Sequence, residues 1–279
     1  MDWEKSYDGK IVIVTGGASG IGKALCEKLG RLGAVVIVTD IDEEGAKAVA
    51  SNVKKQQGGK AFALKLDVTN ENAFKKLIDG TVRKHKRLDY IFNSAGVTIN
   101  GDMQDLTMDH FRKAIDVDMY GVLYGTKYAY QAMIGQKSGH IVNIASLVGL
   151  TPSVPYNIPY AMAKHAVVCL SRSLRAEGRP LGVKVSVVCP GFVETDMLVK
   201  SSTIINGKEV EVDMSVFKKL NMVKVDRAIK IILKGVCRNK ETIIFPSRLV
   251  ATLGAISFVP SFKKFRSQIE QLRQIAERN

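Results

Sequence analysis

The segment Ile11–Gly22 limits what this chain can fold into more than any other. It opens with four β-branched residues, Ile11–Val14, and continues Thr15-Gly16-Gly17-Ala18-Ser19-Gly20-Ile21-Gly22. A helical pattern, Ala24–Leu32, follows. Glycine turns the chain tightly and lets backbone approach a ligand closely. The helix that starts there offers free N–H groups and the positive end of its dipole to a phosphate. A glycine cluster alone is often only a turn. Between a strand and a helix it predicts a dinucleotide-binding loop, with Gly16, Ala18, Ser19, Gly20, Ile21 and Gly22 as the binding residues.

Further apolar runs recur at Val35–Thr39, Ala61–Val68, Leu88–Phe92, His140–Ile144, Val183–Val188 and Thr242–Phe245, with amphipathic stretches between them. Strands alternating with helices predict a parallel sheet with helices on both faces. Unbroken apolar runs suit strands buried on both sides. The expected fold class is α/β, doubly wound, with a central sheet of about seven strands. No linker is visible, so residues 1–279 read as one domain. Two segments break the rhythm. Residues 193–223 are polar and mixed, and residues 249–279 pass from the apolar Leu249–Phe262 into a basic tail.

The formal net charge is +14. Such a field attracts nucleic acid, anionic membranes or anionic substrates. The basic residues are dispersed and form no recognisable binding module, so no nucleic-acid partner is expected. Cys26, Cys169, Cys189 and Cys237 show no C-x-x-C or His spacing and read as reduced thiols without a metal site. Residues 1–10 lack a signal-peptide pattern, and no apolar run nears the roughly 20 residues of a membrane span. The expectation is a cytoplasmic protein. The segment 249–279 suits docking on its own protein or peripheral contact with an anionic membrane, and both readings stay open.

Asp40 ends the second strand candidate, eighteen residues beyond Gly22. A carboxylate there accepts hydrogen bonds from adenosine ribose hydroxyls and repels a 2′-phosphate. Ser19 stands where a basic residue would hold that phosphate. Both favour NAD over NADP, while Lys23 would tolerate a phosphate. Tyr160 and Lys164 are four residues apart, hence on one helix face. Pro159 suits a first helical turn and sets Tyr160 near the N-terminus. A phenol ordinarily titrates at about 10. A nearby cation and the helix dipole favour the phenolate and predict an acid/base tyrosine. Ser146 ends the fifth strand candidate, where a hydroxyl faces the ligand crevice.

In these residues the chain resembles the short-chain dehydrogenase/reductase family, over roughly Gly9 to Phe245. The resemblance is carried by Thr15–Gly22, Asp67-Val68, Asn93-Ser94-Ala95-Gly96, Ser146, Tyr160 with Lys164, and Pro190-Gly191, in the family's order. It implies a Rossmann fold and hydride transfer between NAD(H) and an alcohol or ketone. It also implies that Asp67 and Val68 flank the adenine, and that Asn93, Ala95 and Gly96 line the central cleft. Lys164 would also hold the nicotinamide ribose. Pro190, Gly191 and Val193 would border the nicotinamide, and Thr195 would contact its carboxamide. Ser146 would stabilise the substrate oxygen while Tyr160 takes or gives its proton. A homodimer or homotetramer and a substrate cover over residues 193–223 are implied as well.

Three positions depart from the family's pattern. Ser94 replaces the second Asn of Asn-Asn-Ala-Gly. Asp118 stands where a fourth catalytic member is usually Asn; it would support a water relay to Lys164, and its charge would change the local balance. Ser146 and Tyr160 are fourteen residues apart, one more than expected, which predicts a bulged loop. Ile204, Ile205, Met214, Val216, Phe217 and Met222 would form an apolar cover and point to a hydrophobic alcohol or ketone. His165 is expected to pack or lie at the surface. Tyr120, Tyr124 and Tyr128 recur every four residues and read as helix packing, at a subunit interface by the resemblance. The competing function is a non-catalytic NAD-binding or scaffold protein, against which the presence of both Tyr160 and Lys164 argues.

Overall fold

The computed structural model describes residues 2–151, 156–195, 197, 201–205, 207–210 and 222–246. Met214, Val216, Phe217 and the segment 249–279 lie outside the described residues. The strands are β1 (Ile11–Thr15), β2 (Val35–Asp40), β3 (Lys60–Lys65), β4 (Tyr90–Asn93), β5 (Ile99–Gly101), β6 (Gly139–Ile144), β7 (Val183–Pro190), β8 (Ser202–Ile205), β9 (Lys208–Val210) and β10 (Thr242–Phe245). The helices are α1 (Gly20–Arg31), α2 (Glu43–Lys54), α3 (Glu71–His85), α4 (Met108–Ile115), α5 (Gly121–Gly135), α6 (Ile158–Gly178) and α7 (Val225–Cys237). Seven strands form one sheet in the order β10-β7-β6-β4-β1-β2-β3, and every pairing within it is parallel. This is the doubly wound architecture expected from the alternating pattern.

The pleat divides the core. All five residues of β1 are buried. Val12 and Val14 pack with Leu25, Leu29, Val49 and Ile229, residues of α1, α2 and α7. Ile11 and Ile13 pack with Phe74, Ile78, Ala129 and Met133, residues of α3 and α5. Successive strand residues point to opposite faces, so an unbroken apolar run is what two helical layers require. Asp42 and Asn70 start α2 and α3 by accepting the N–H groups of Gly45 and Ala73. Among the described residues no helix is long and apolar enough to cross a membrane.

A second, three-stranded sheet has the order β5-β8-β9. It ties the segment after β7 to the segment after β4, with Ile99 paired to Ser202. Ile204 and Ile205, expected in an apolar cover, are buried, and Ile204 packs with Ile99, Leu106 and Phe111. They anchor that segment inward.

A buried polar chain crosses from the sheet to α5 and α6. Asn93 Nδ2 donates to Asn143 Oδ1 at 2.8 Å, Thr126 Oγ1 donates to the same oxygen at 3.1 Å, and Asn143 Nδ2 donates to Ser171 Oγ at 3.0 Å. Asn143 is the hub. Asn143→Ala strands buried donors and acceptors, and is expected to cost about 3 kcal/mol. Thermal unfolding should show a Tm lower by about 6 to 12 °C.

Candidate active site

The turn after β1 is built from close backbone approaches. Gly16 has φ +66°, and a β-carbon there would lie 2.8 Å from Ala95 Cα. At Gly22 it would lie 2.0 Å from the Gly16 carbonyl oxygen. Across from the loop, the Thr195 side chain comes to 3.5 Å from the β-carbon position of Gly20. Thr15 Oγ1 accepts the N–H groups of Ser94 and Ala95 at 3.0 and 3.1 Å, which stitches the β1 and β4 turns together. Ser19 precedes α1 without a side-chain cap bond, and the first turn holds no acidic residue. Its N–H groups are left for an anion. Asp40 Oδ2 accepts from Ala18 N at 2.9 Å, so the carboxylate expected at a ribose also holds the loop. A cradle that side chains would fill, an open helix N-terminus and a carboxylate beside it fit a dinucleotide.

Tyr160 is the third residue of α6, after Ile158 and Pro159. It is 8% exposed, Lys164 3% and Asp118 0%. Lys164 Nζ lies 3.0 Å from Asp118 Oδ1, 3.3 Å from the Ile144 carbonyl oxygen and 5.3 Å from the centre of the Tyr160 ring. Asp118 belongs to a π-helical turn, Asp116–Tyr120, between α4 and α5. Such turns recur at functional sites. Its carboxylate also accepts the Val97 N–H at 3.2 Å. Gly96 makes room, since a β-carbon there would sit 2.6 Å from Asp118 Oδ1. Lys164 and Asp118 thus form a direct, buried ion pair.

Ser146 opens a 3-10 turn, Leu147–Leu150, and its Oγ accepts the Val148 N–H at 3.2 Å. Its hydroxyl stands beside the Tyr160 phenol and favours the phenolate. Gly149 lets this turn press on α6, for a β-carbon there would lie 2.5 Å from the Lys164 carbonyl oxygen. His165 lies exposed on α6, its ring nitrogens meeting the Thr151 and Ala161 carbonyl oxygens at 2.9 and 2.8 Å. The predicted bulge before Tyr160 includes residues 152–155, outside the described residues.

Burial raises the Tyr160 phenol above its ordinary value; Lys164 and Ser146 oppose the rise, and Asp118 adds to it. The net direction is up. Burial outweighs the cation, and the carboxylate adds to it. Burial works against the Lys164 ammonium, yet Asp118 and Tyr160 hold it above its ordinary value. Burial likewise raises Asp118, with Lys164 and the Val97 N–H opposing.

The other expected residues stand along the carboxyl edge of the sheet. Asn93 turns its amide inward to Asn143 and Thr126, so its backbone alone is left at the strand end. The exposed Asp67 accepts from Thr69 N at 2.9 Å, and Val68 is buried against Gly121. Pro190 ends β7, the Gly191 N–H donates to the Phe245 carbonyl at 2.8 Å, and Val193 bridges to Val223. The sequence reading gave Thr15 no role of its own and missed Gly149, Tyr156 and Asn157. Tyr156 has φ +60°, uncommon for a bulky residue, and its carbonyl accepts the Gly101 N–H at 2.9 Å. Asn157 Nδ2 donates to Asn100 Oδ1 at 2.7 Å. Both tie the approach to α6 onto β5, and a lone Tyr-Asn offers no spacing signal for that.

A profile of the short chain dehydrogenase family matches residues 10–206. A 2,5-dichloro-2,5-cyclohexadiene-1,4-diol dehydrogenase of Sphingobium indicum is 38% identical over 192 residues, 68% of this chain and 75% of that protein. A meso-2,3-butanediol dehydrogenase of Serratia marcescens is 34% identical over 193 residues, 68% of this chain and 74% of that protein. Among solved structures, a short chain dehydrogenase/reductase from Burkholderia phymatum in complex with NAD is similar, with TM-score 0.78 and 26% identity, covering 88% of this chain and 92% of that one.

Gly22→Ala drives a methyl group into the Gly16 carbonyl, and no rotamer relieves it. The loop has to open. Titration with NADH should show binding weakened by about tenfold or more, with the far-ultraviolet circular dichroism unchanged.

Proposed function

The chain belongs to the short-chain dehydrogenase family and is an oxidoreductase, and on that premise we propose that it transfers hydride between NAD(H) and a secondary alcohol or ketone, with Tyr160 as the acid/base. The observation that carries the reading is the cluster of Ser146, Tyr160 and Lys164 at the carboxyl edge of the sheet that also holds the glycine loop. A phenol beside a hydroxyl and one helical turn from an ammonium is equipped to pass a proton to or from a substrate oxygen.

When bound, a nicotinamide dinucleotide supplies the hydride acceptor or donor. The open N–H groups of Gly20, Ile21 and Gly22 suit its pyrophosphate, and Asp40 suits unphosphorylated ribose hydroxyls. Asp67, Val68, Ala95 and Gly96 border the same edge, followed by Pro190, Gly191, Val193 and Thr195. Lys164 orients a second ribose and steadies the phenol. Ser146 donates a hydrogen bond to the substrate oxygen as its charge develops. Phe192, Met197 and Met162 are exposed near the ends of β7 and α6, which supports an apolar substrate. Tyr120, at the end of the π-helical turn, stacks with Tyr124 of α5 with ring centres 6.0 Å apart, a surface suited to a second copy.

Two variants test this reading. Tyr160→Phe removes the proton and is expected to lower kcat by about 100-fold or more with NADH binding kept. Asp40→Ala is expected to weaken NADH binding about tenfold or more and to raise NADPH relative to NADH. Fluorescence titration with both nucleotides, then a screen of apolar alcohols and ketones, reads both effects. Full turnover in Tyr160→Phe, or binding of neither nucleotide to the unsubstituted protein, overturns the assignment.

A further inference from the structure

Groups from four elements surround the Tyr160 phenol. Lys164 lies one turn along α6, Asp118 in the π-helical turn, Ser146 just after β6 and Cys189 in β7, where Arg172 of α6 acts on the thiol. Lys164 brings a positive charge to the ring. Asp118 meets that charge at 3.0 Å, and burial at both ends keeps water from screening the pair. The Val97 N–H and the crowding at Gly96 fix the carboxylate in place. A neutral amide of the same shape would orient the ammonium and leave its field free to act on the phenol. A carboxylate orients it and offsets part of that field.

We propose that Asp118 is a positioning residue that neutralises Lys164 beside Tyr160, so that Tyr160 keeps its proton through neutral pH and the free site is set to protonate a carbonyl oxygen. The inference rests on Tyr160 being the acid/base. The upward direction of the phenol's titration, to which Asp118 contributes, agrees with it. In the reducing direction Tyr160 gives its proton to the carbonyl oxygen while the carbonyl carbon accepts a hydride from the reduced nicotinamide. The C=O π bond breaks, a C–H and an O–H bond form, and the phenolate takes its next proton from solvent. In the oxidising direction Tyr160 has to lose its proton first. That direction gains rate only as the pH rises into the alkaline range.

The test has one readout without cofactor and one with it. The ultraviolet absorbance of tyrosinate is titrated in the full chain and in Asp118→Asn, each against its Tyr160→Phe counterpart, so that the difference reports Tyr160 alone. The pH profiles of kcat are then measured in both directions with NAD(H). Tyr160 is expected to titrate in the alkaline range in the unsubstituted protein and about one pH unit or more lower in Asp118→Asn. The alkaline limb of oxidation should move with it. Asp118→Ser removes the same charge with a smaller side chain and should shift both readouts likewise, which covers a folding failure of the first variant. A Tyr160 that titrates near neutrality in the unsubstituted protein, or one that stays put in both variants, overturns the inference. Absence of NAD(H) turnover in the unsubstituted protein would instead fell the functional reading, and the cofactor-free titration would still decide the role of Asp118.

Discussion

The structure depends on β1 having a parallel neighbour on each side, β2 on one and β4 on the other. Parallel partners require crossovers, and those crossovers lay α1 and α2 on one face and α3 and α5 on the other. Both faces are then covered, so chemistry is left to the edges. At β1 the direction of winding reverses, and the turns after β1 and β4 part around a crevice. Thr15 closes the bottom of it with its two accepted N–H groups, and the missing side chains of Gly16 and Gly22 keep it open above.

From that edge the polar interior sets the position of the chemistry. Tyr160, Lys164, Val167 and Ser171 recur on one face of α6, the face turned to the sheet. Ser171 accepts from Asn143 of β6, and Asn143 in turn accepts from Asn93 of β4. These bonds fix how far α6 slides along the sheet. Gly149 fixes how close it comes, because the 3-10 turn after Ser146 rests on the Lys164 carbonyl. The placement of Ser146 beside Tyr160 is therefore set by packing one and three turns along α6 as much as by the two residues themselves.

This division explains what the sequence made legible. The inner sheet strands announce themselves because burial on both faces forces unbroken apolar runs such as Val35–Thr39 and Val183–Val188, whereas β3 at the sheet edge is mostly exposed. The glycine loop is legible because only glycine satisfies a 2.0 Å approach. Tyr160 and Lys164 are legible because helical periodicity fixes their relation. Strands β5 and β8, of three and four residues, are too short for any period to show. The direct contact of Asp118 with Lys164 depends on a π-helical turn, and no spacing rule signals that turn. The rise in the Tyr160 phenol comes from burial and from a charge forty-two residues away in sequence, neither of which a four-residue motif contains.

Stability alone gives no reason to bury Asp118 against Lys164. Desolvation costs several kcal/mol per ion, and apolar residues of similar size often hold a fold equally well. The pair makes sense through what each charge does to a third group. Without a counter-ion, burial would push Lys164 toward its neutral form, and an amine without its charge no longer acts on the phenol. With Asp118 in place the ammonium persists, and the carboxylate offsets part of its field at the phenol. The same contact thus secures the cation and weakens its effect on Tyr160. A site built in this way trades readiness to abstract a proton for readiness to deliver one.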